Sequence, residues 1–336
     1  MNPRLLCLLA LVGCKDSPAD DTGNSSSPWG LVVDGFSPGA MLSIWASSDE
    51  EVLFVGGGLR GAGPGVLARY RPDDQTLCWE TLLDDKALWW IHGQSAEDWY
   101  AVGEKGSILH YTKDSGITDE SVDTEATFYG VWASEDVVWA VGGFIGGSPT
   151  GSGEIWKKDA SGWSLFAESL QGTVFKVWDR HFVGTHVAYR LNSEDDLEEI
   201  PPGSHKLLTL RGRSHEDIWA VGGLQSAKVM HFDGVQWTSI QTAGLSLPLM
   251  GVWTAPGEAV WVSGMNGVQA YSEDNGENWV IPDFPLTSSS FHAVMPHGDE
   301  VLFAGGNLMT SGDDFYATIG RFSHNQKPVS AAPCSE

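Results

Sequence analysis

Basic residues are scarce. Nineteen lysines and arginines stand against 44 aspartates and glutamates, a formal net charge of −25. A surface of that sign repels phosphate backbones and anionic headgroups, which excludes nucleic acid as a partner. Long apolar runs are missing as well. The stretch at residues 5–12 is far short of the roughly 20 residues a helical span needs. Helix-period patterning appears nowhere, so strands must carry the fold. Signatures of common chemistry are also lacking. No GxSxG elbow or Ser/His/Asp order supports a hydrolase, and the glycine-rich GGGLRGAGPG at 56–65 lacks the Gly-Lys-Ser/Thr ending of a phosphate-binding loop. Acidic pairs such as Asp73-Asp74, Asp84-Asp85 and Asp313-Asp314 fit no calcium-loop spacing and read as solvated turns.

What is present begins with an export signal. MNPRLLCLLALVGC has one positive charge at Arg4, an apolar run and then Gly13-Cys14, the layout of a secretory segment over residues 1–13. Residues 15–28, KDSPADDTGNSSSP, are almost free of apolar side chains and read, with Cys14, as a flexible tether. Four cysteines occur; once Cys7 leaves with the signal and Cys14 is set aside, Cys78 and Cys334 remain as a candidate disulfide of an exported protein.

From residue 29 to 325 one aromatic-rich phrase recurs seven times, about every forty-odd residues. Plain copies are IHGQSAEDWYAVG, GVWASEDVVWAVG, LRGRSHEDIWAVG and GVWTAPGEAVWVSG; SIWASSDEEVLFVGG, FKVWDRHFVG and HAVMPHGDEVLFAGG are worn. Each unit orders its signals as four short strands. An aromatic ends the third run in every unit: Tyr70, Tyr111, Trp156, Tyr189, Phe232, Tyr271 and Phe322. The second run holds Leu53, Tyr100, Trp139, His181, Trp219, Trp261 and Leu302, and the first run holds Trp45, His92, Trp132, Trp178, Arg211, Trp253 and Met295. Both sets are expected to fill the space between twisted, radially packed sheets. The expected fold is all-β, a seven-bladed β-propeller of four-stranded blades. The seventh unit lacks a fourth-strand tryptophan, whereas Trp29 stands 16 residues before Trp45, the interval from Trp237 to Trp253. The N-terminal strand is therefore expected to complete the last blade and close the ring. Residues 326–336 are left as a tail, long enough to reach blade 1 from blade 7.

The repeats resemble propellers of the BNR and photosystem-II-assembly-factor type, and more closely the tandem VWAVG-containing propellers of secreted bacterial lipoproteins. Ser272-Glu273-Asp274-Asn275-Gly276-Glu277-Asn278-Trp279 fits the Asp-box pattern S-x-D-x-G-x-x-W at Ser272, Asp274, Gly276 and Trp279, and Thr112, Asp114 and Gly116 form a partial second box. In such families the box shapes the turn between the third and fourth strands, an architectural role. Leu11-Val12-Gly13-Cys14 resembles the lipobox of bacterial lipoproteins, which implies lipid attachment at Cys14.

Asp-box proteins include sialidases, which need an arginine cluster for the substrate carboxylate. Of eight arginines after the signal, Arg69 and Arg321 share a repeat slot with His110 and His231, Arg71 and Arg190 flank the same strands, and Arg211 fills a first-run slot. Only Arg60, Arg180 and Arg213 are left over, and the sialidase reading is poor. His181 and His186 fall on a strand–turn–strand segment where they need not converge, so no metal and no cofactor are expected. Loops between second and third strands are long in blade 1 (56–65), blade 3 (142–153) and blade 7 (305–317), on the face where propellers commonly bind ligands. Arg60, Phe144, Asp313, Asp314 and Tyr316 are the candidate ligand- or partner-binding residues. The expected function is a non-enzymatic, lipid-anchored scaffold at a bacterial envelope, monomeric, outer-membrane or periplasmic, binding a protein or glycan. A glycan-active or lactone-hydrolysing enzyme with a metal in the channel is the alternative.

Overall fold

Alternating runs of branched and aromatic residues, punctuated by Gly, Asp, Asn and Ser, dictate short antiparallel strands joined by tight turns. In the computed structural model, the described residues are 27–37, 39–46, 48–59, 61, 63–145, 152–186, 188–200, 206–308, 314–324 and 326–334. They form seven radially arranged sheets. The N-terminal strand is β1 (Trp29–Phe36). Blade 1 follows with β2 (Ala40–Ala46), β3 (Val52–Gly57), β4 (Gly65–Arg71) and β5 (Thr76–Leu83). Blade 2 is β6 (Leu88–Ser95), β7 (Asp98–Gly103), β8 (Ile108–Thr112) and β9 (Gly116–Asp119). Blade 3 is β10 (Thr127–Ala133), β11 (Val138–Gly143), β12 (Gly153–Asp159) and β13 (Gly162–Leu170). Blade 4 is β14 (Val174–Trp178), β15 (His181–Gly184), β16 (Ala188–Leu191) and β17 (Leu197–Glu199). Blade 5 is β18 (Leu207–Ser214), β19 (Asp217–Gly222), β20 (Lys228–Phe232) and β21 (Trp237–Ile240). Blade 6 is β22 (Leu249–Trp253), β23 (Val260–Gly264) and β24 (Gln269–Ser272), its outer strand reduced to one bridge between Tyr271 and Val280. Blade 7 is β25 (Ser290–His297), β26 (Glu300–Gly306) and β27 (Ala317–Phe322).

The ring closes through β1, which pairs with β27 from Trp29 opposite Phe322 to Phe36 opposite Ala317. Trp29 is buried and meets Phe322 edge-on at 4.9 Å, so the closure is packed as well as hydrogen-bonded. The tail is not loose. Its strand β28 (Ser330–Pro333) adds in parallel to β5 as a fifth strand of blade 1, and Cys334 is joined there to Cys78 with a Cα–Cα separation of 4.7 Å.

There is no single central core. Seven apolar clusters each lie between two adjacent blades; between blades 1 and 2, for example, Leu53, Val55 and Leu67 meet Leu88, Ile91 and Trp99. Six of the seven second-run residues sit in these clusters: Leu53, Tyr100, Trp139, Trp219, Trp261 and Leu302. His181 holds the same place between blades 4 and 5, beside Phe232. The third-run aromatics are less regular than their sequence count implies. Tyr70, Tyr111, Phe232 and Phe322 follow the residue paired with the second-run slot, whereas Trp156 and Tyr189 precede it and Tyr271 occupies it. Pleat alternation puts the first six on one face of their sheets and Tyr271 on the other.

Candidate binding site at the mouth of the central channel

The innermost strand of every blade breaks register at the same place. The first two strands slip between Met41 and Ser43, Leu88 and Trp90, Phe128 and Gly130, Val174 and Lys176, Leu207 and Thr209, Leu249 and Gly251, and Phe291 and Ala293. One residue per blade is left without a partner: Leu42, Trp89, Tyr129, Phe175, Leu208, Met250 and His292. A bulge of this kind re-aims a side chain and strands a carbonyl.

Polar side chains from neighbouring blades satisfy three of those carbonyls. Nδ1 of His292 lies 2.6 Å from the Leu42 oxygen, Thr209 Oγ1 donates to the Met250 oxygen at 2.5 Å, and Lys176 Nζ donates to the Tyr129 oxygen. Gly130 and Gly251 serve the same crowding, since a β-carbon on either would come within 2.9 Å of the bulge carbonyl of Phe175 or His292. The bulges thus stitch the blades together around the axis.

Five bulge residues, Leu42, Trp89, Tyr129, Met250 and His292, line a cavity of about 530 Å³ at the mouth of the channel. Each of the three long loops adds to its wall: Leu59 from blade 1, Phe144 and Ile145 from blade 3, and Leu308 from blade 7. Trp89 and Tyr129 meet edge-on at 4.8 Å to form an aromatic floor. Glu104 braces the rim, accepting from the backbone amides of Gly61 at 3.2 Å and Ala87 at 3.3 Å. Phe144 is 44% and Ile145 65% exposed, so the apolar wall continues to the outer surface.

Beneath the mouth the channel is filled. Lys176 lies with Nζ 4.0 Å from the ring of Trp90, two blades away across the axis. Burial holds its ammonium well below the ordinary lysine value. Burial, reinforced by the Lys176 charge, brings His292 down to about 3, and burial raises the Tyr129 phenol to about 12. At the far end stand Trp45, His92, Trp132, Trp178, Arg211, Trp253 and Met295. These first-run residues do more than fill the space between sheets. The innermost strands lie where the blades converge, and their side chains meet on the axis: His92 stacks on Trp132 at 4.0 Å and Arg211 reaches to 5.5 Å from the same indole.

Of the candidate residues named from sequence, Phe144 alone lines the mouth among the described residues. Arg60, Asp313 and Cys14 lie outside them. Asp314 is exposed and Tyr316 half-buried; both are tied to Asn307, whose Nδ2 donates to the Asp314 oxygen and whose Oδ1 accepts from the Tyr316 amide, each at 2.7 Å. They anchor the blade 7 loop and do not face the cavity. The neighbouring Phe315 is the buried residue, packed with Leu59 and Leu308. The bulge residues were missed. Their signal was a pair of bulky residues three positions before each first-run slot, such as Leu88-Trp89 or Phe128-Tyr129, where strict alternation fails.

The 272–279 turn is built by its own side chains. Ser272 Oγ accepts from the Gly276 amide at 2.7 Å and donates to Asp274 at 2.8 Å. Asp274 accepts from the Asn278 amide at 2.8 Å, and the hydrogen bonds from Asn278 and Ser272 draw its carboxyl down to about 2. Gly276 has φ +82, which a residue with a β-carbon rarely adopts. Trp279 donates to the Gln241 carbonyl at 3.1 Å, tying the turn to blade 5. The slot shared by His110 and His231 is a hydrogen-bonded one, each ring within 2.9 Å of the aspartate that opens its second strand, Asp98 or Asp217. His181 and His186 do not converge: His181 packs beside His215 while His186 bonds Thr185. Among the described residues, no three or more His, Cys, Asp or Glu side chains are grouped to hold a metal.

No protein-family profile and no curated protein matches the chain. Solved structures do. Ycf48 with a D1 peptide bound is 15% identical, with a TM-score of 0.65 over 89% of this chain and 97% of that one. Virginiamycin B lyase from Staphylococcus aureus is 11% identical, with a TM-score of 0.67 over 88% and 98%. A luciferin-regenerating enzyme is 13% identical, with a TM-score of 0.52 over 85% and 91%. The likeness is one of fold. It spans a peptide binder and two enzymes, and function has to be argued from the site itself.

Proposed function

We propose that this protein is a non-enzymatic, lipid-anchored envelope scaffold that binds a protein partner at the channel mouth. The observation that carries the reading is the exposed pair Phe144 and Ile145 standing over a bowl floored by Trp89 and Tyr129. Aromatic and aliphatic walls with few polar groups suit a bulky apolar side chain on a partner segment, the kind of anchor that dominates protein interfaces. That Ycf48 was solved with a peptide bound supports the reading by analogy of fold. The Asp-box-like turn and the VWAVG phrase support kinship with secreted propeller lipoproteins, and the LVGC sequence supports acylation of Cys14. Among the described residues no helix is long and apolar enough to cross a membrane.

The test is a quantitative affinity comparison between wild type and the double variant Phe144→Asp/Ile145→Asp. Both positions are exposed, so stability should change by no more than about 0.5 kcal/mol, while the partner is lost from the variant. Retention of the same partner at the same level would contradict the assignment. Metabolic labelling with a radioactive fatty acid, abolished by Cys14→Ser, tests the anchor separately.

A further inference from the structure

The far end of the channel, lined by Arg211 and the first-run tryptophans, differs in chemistry from the mouth. In a chain of net charge −25, the residues lining this end include two basic side chains, Lys176 and Arg211, and no carboxylate. Three arginines elsewhere are paired with acids: Arg69 with Glu51 and Glu80, Arg180 with Asp195, and Arg190 with Glu198. Among the described residues Arg211 has no ion pair, and its Nε is buried without a protein partner. A guanidinium N–H left unsatisfied in an interior costs free energy, and natural cores rarely carry one without a use for it.

The geometry points to a site for one small carboxylate, held side-on by the Arg211 guanidinium. The Nε edge of a guanidinium presents two parallel N–H groups in the spacing of the two carboxylate oxygens. Arg211 lies over Trp132, with Cζ 5.5 Å from the ring centroid, a contact that limits where the guanidinium can move. Trp178, Trp253, Trp45 and Met295 supply apolar walls on which a short hydrocarbon tail can rest. The cavity measures about 50 Å³. One water needs roughly 10–15 Å³, so there is room for a group of acetate size but not for a sugar or a peptide segment. Lys176, one layer further along the axis, donates to the Tyr129 oxygen and is held well below the ordinary lysine value by burial, so the guanidinium supplies the charge at this site. The ligand class is a short monocarboxylic acid. A polyanion is disfavoured by the acidic surface it would have to approach.

Thermal melting of the full chain at fixed ionic strength, with sodium acetate progressively replacing sodium chloride, tests the site. Wild type should melt at rising temperature along a saturable curve. Arg211→Lys should move its midpoint to at least tenfold higher acetate, since a point charge lacks the planar fork, and Arg211→Gln should abolish the response while melting cooperatively in chloride. An acetate effect that is absent in wild type, or equal in Arg211→Gln, overturns the proposal. If Arg211→Gln does not fold, crystals of the wild-type protein soaked in acetate decide: planar density bridging the Arg211 Nε edge supports the site, and its absence overturns it. A capped tetraglutamate peptide forms the last arm. No response is expected from it, and a response at lower concentration than acetate would reassign the carboxylate to an acidic segment of a partner.

Discussion

The carbonyl oxygen of Tyr129, stranded by the bulge of blade 3, accepts a hydrogen bond from Lys176, the residue that follows the bulge of blade 4. The bond joins two blades at the axis and buries an ammonium that has no carboxylate beside it among the described residues. Burial lowers its folded pKa, while in the unfolded chain the value is about 10.4. Between those two values the unfolded chain binds more protons, so this group makes stability climb as pH rises. Melting temperatures of wild type and Lys176→Met from pH 7 to 9.5 should show wild type gaining on the variant; parallel profiles would place the ammonium in a more polar setting than described.

His292 and His92 give the acid limb. Both are held near 3 in the folded protein, by burial first and then by the charge of Lys176 or Arg211, against about 6.5 unfolded. Their contribution is complete above pH 6.5 and is lost as pH falls toward 3, because the unfolded chain takes up protons that the folded one refuses. Each is worth about 5 kcal/mol at most. Replacing His292 with Gln should flatten the denaturant midpoint between pH 6 and 4, and an unchanged slope would contradict the assignment.

Ring closure concentrates stability at Trp29. The indole packs against Phe322, Trp261, Tyr271 and Phe303, so it belongs to the core between blades 6 and 7 although it enters from the far end of the chain. Trp29→Ala should cost about 3–5 kcal/mol in guanidinium unfolding, with one cooperative transition retained. A cost under about 0.5 kcal/mol, the range of ordinary surface changes, would mean that β1 is dispensable.

The Cys78–Cys334 bridge spans 256 positions in sequence and fixes β28 to the edge of blade 1. Removing it should cost about 2–4 kcal/mol and free the tail. In Cys78→Ser, proteolysis should clip the chain after about residue 324 while the ring persists. Alkylation of both cysteines in unreduced wild-type protein would show that the bridge is absent.

The architecture was legible because a repeat constrains every copy at once: blade number and the closure by Trp29 follow from residue spacing. The second-run residues could be placed because their neighbours are the next sheet, a relation each repeat restates. The first-run residues meet one another at the axis, between neighbouring blades as His92 and Trp132 do or two blades apart as Arg211 and Trp132 do, and no local period encodes that. The bulges were hidden for a related reason, since an extra residue in a strand leaves only a brief lapse in alternation. Asp314 and Tyr316 are not among the residues lining the mouth, because loop length shows where a chain can reach and not which way its side chains turn. Phe315, between them, is the one that packs inward.

The channel mouth is the surface that the proposed partner covers. A photo-reactive phenylalanine analogue at position 145 tests this most directly, with the same analogue at Val235 as the control. Val235 is 79% exposed and lies in the turn between β20 and β21, on the opposite face. In the cell envelope, the account predicts one discrete protein adduct from position 145, none from 235, and loss of the adduct when Trp89 is changed to Ala. Equal labelling from both positions, or an adduct from 235 alone, would contradict it.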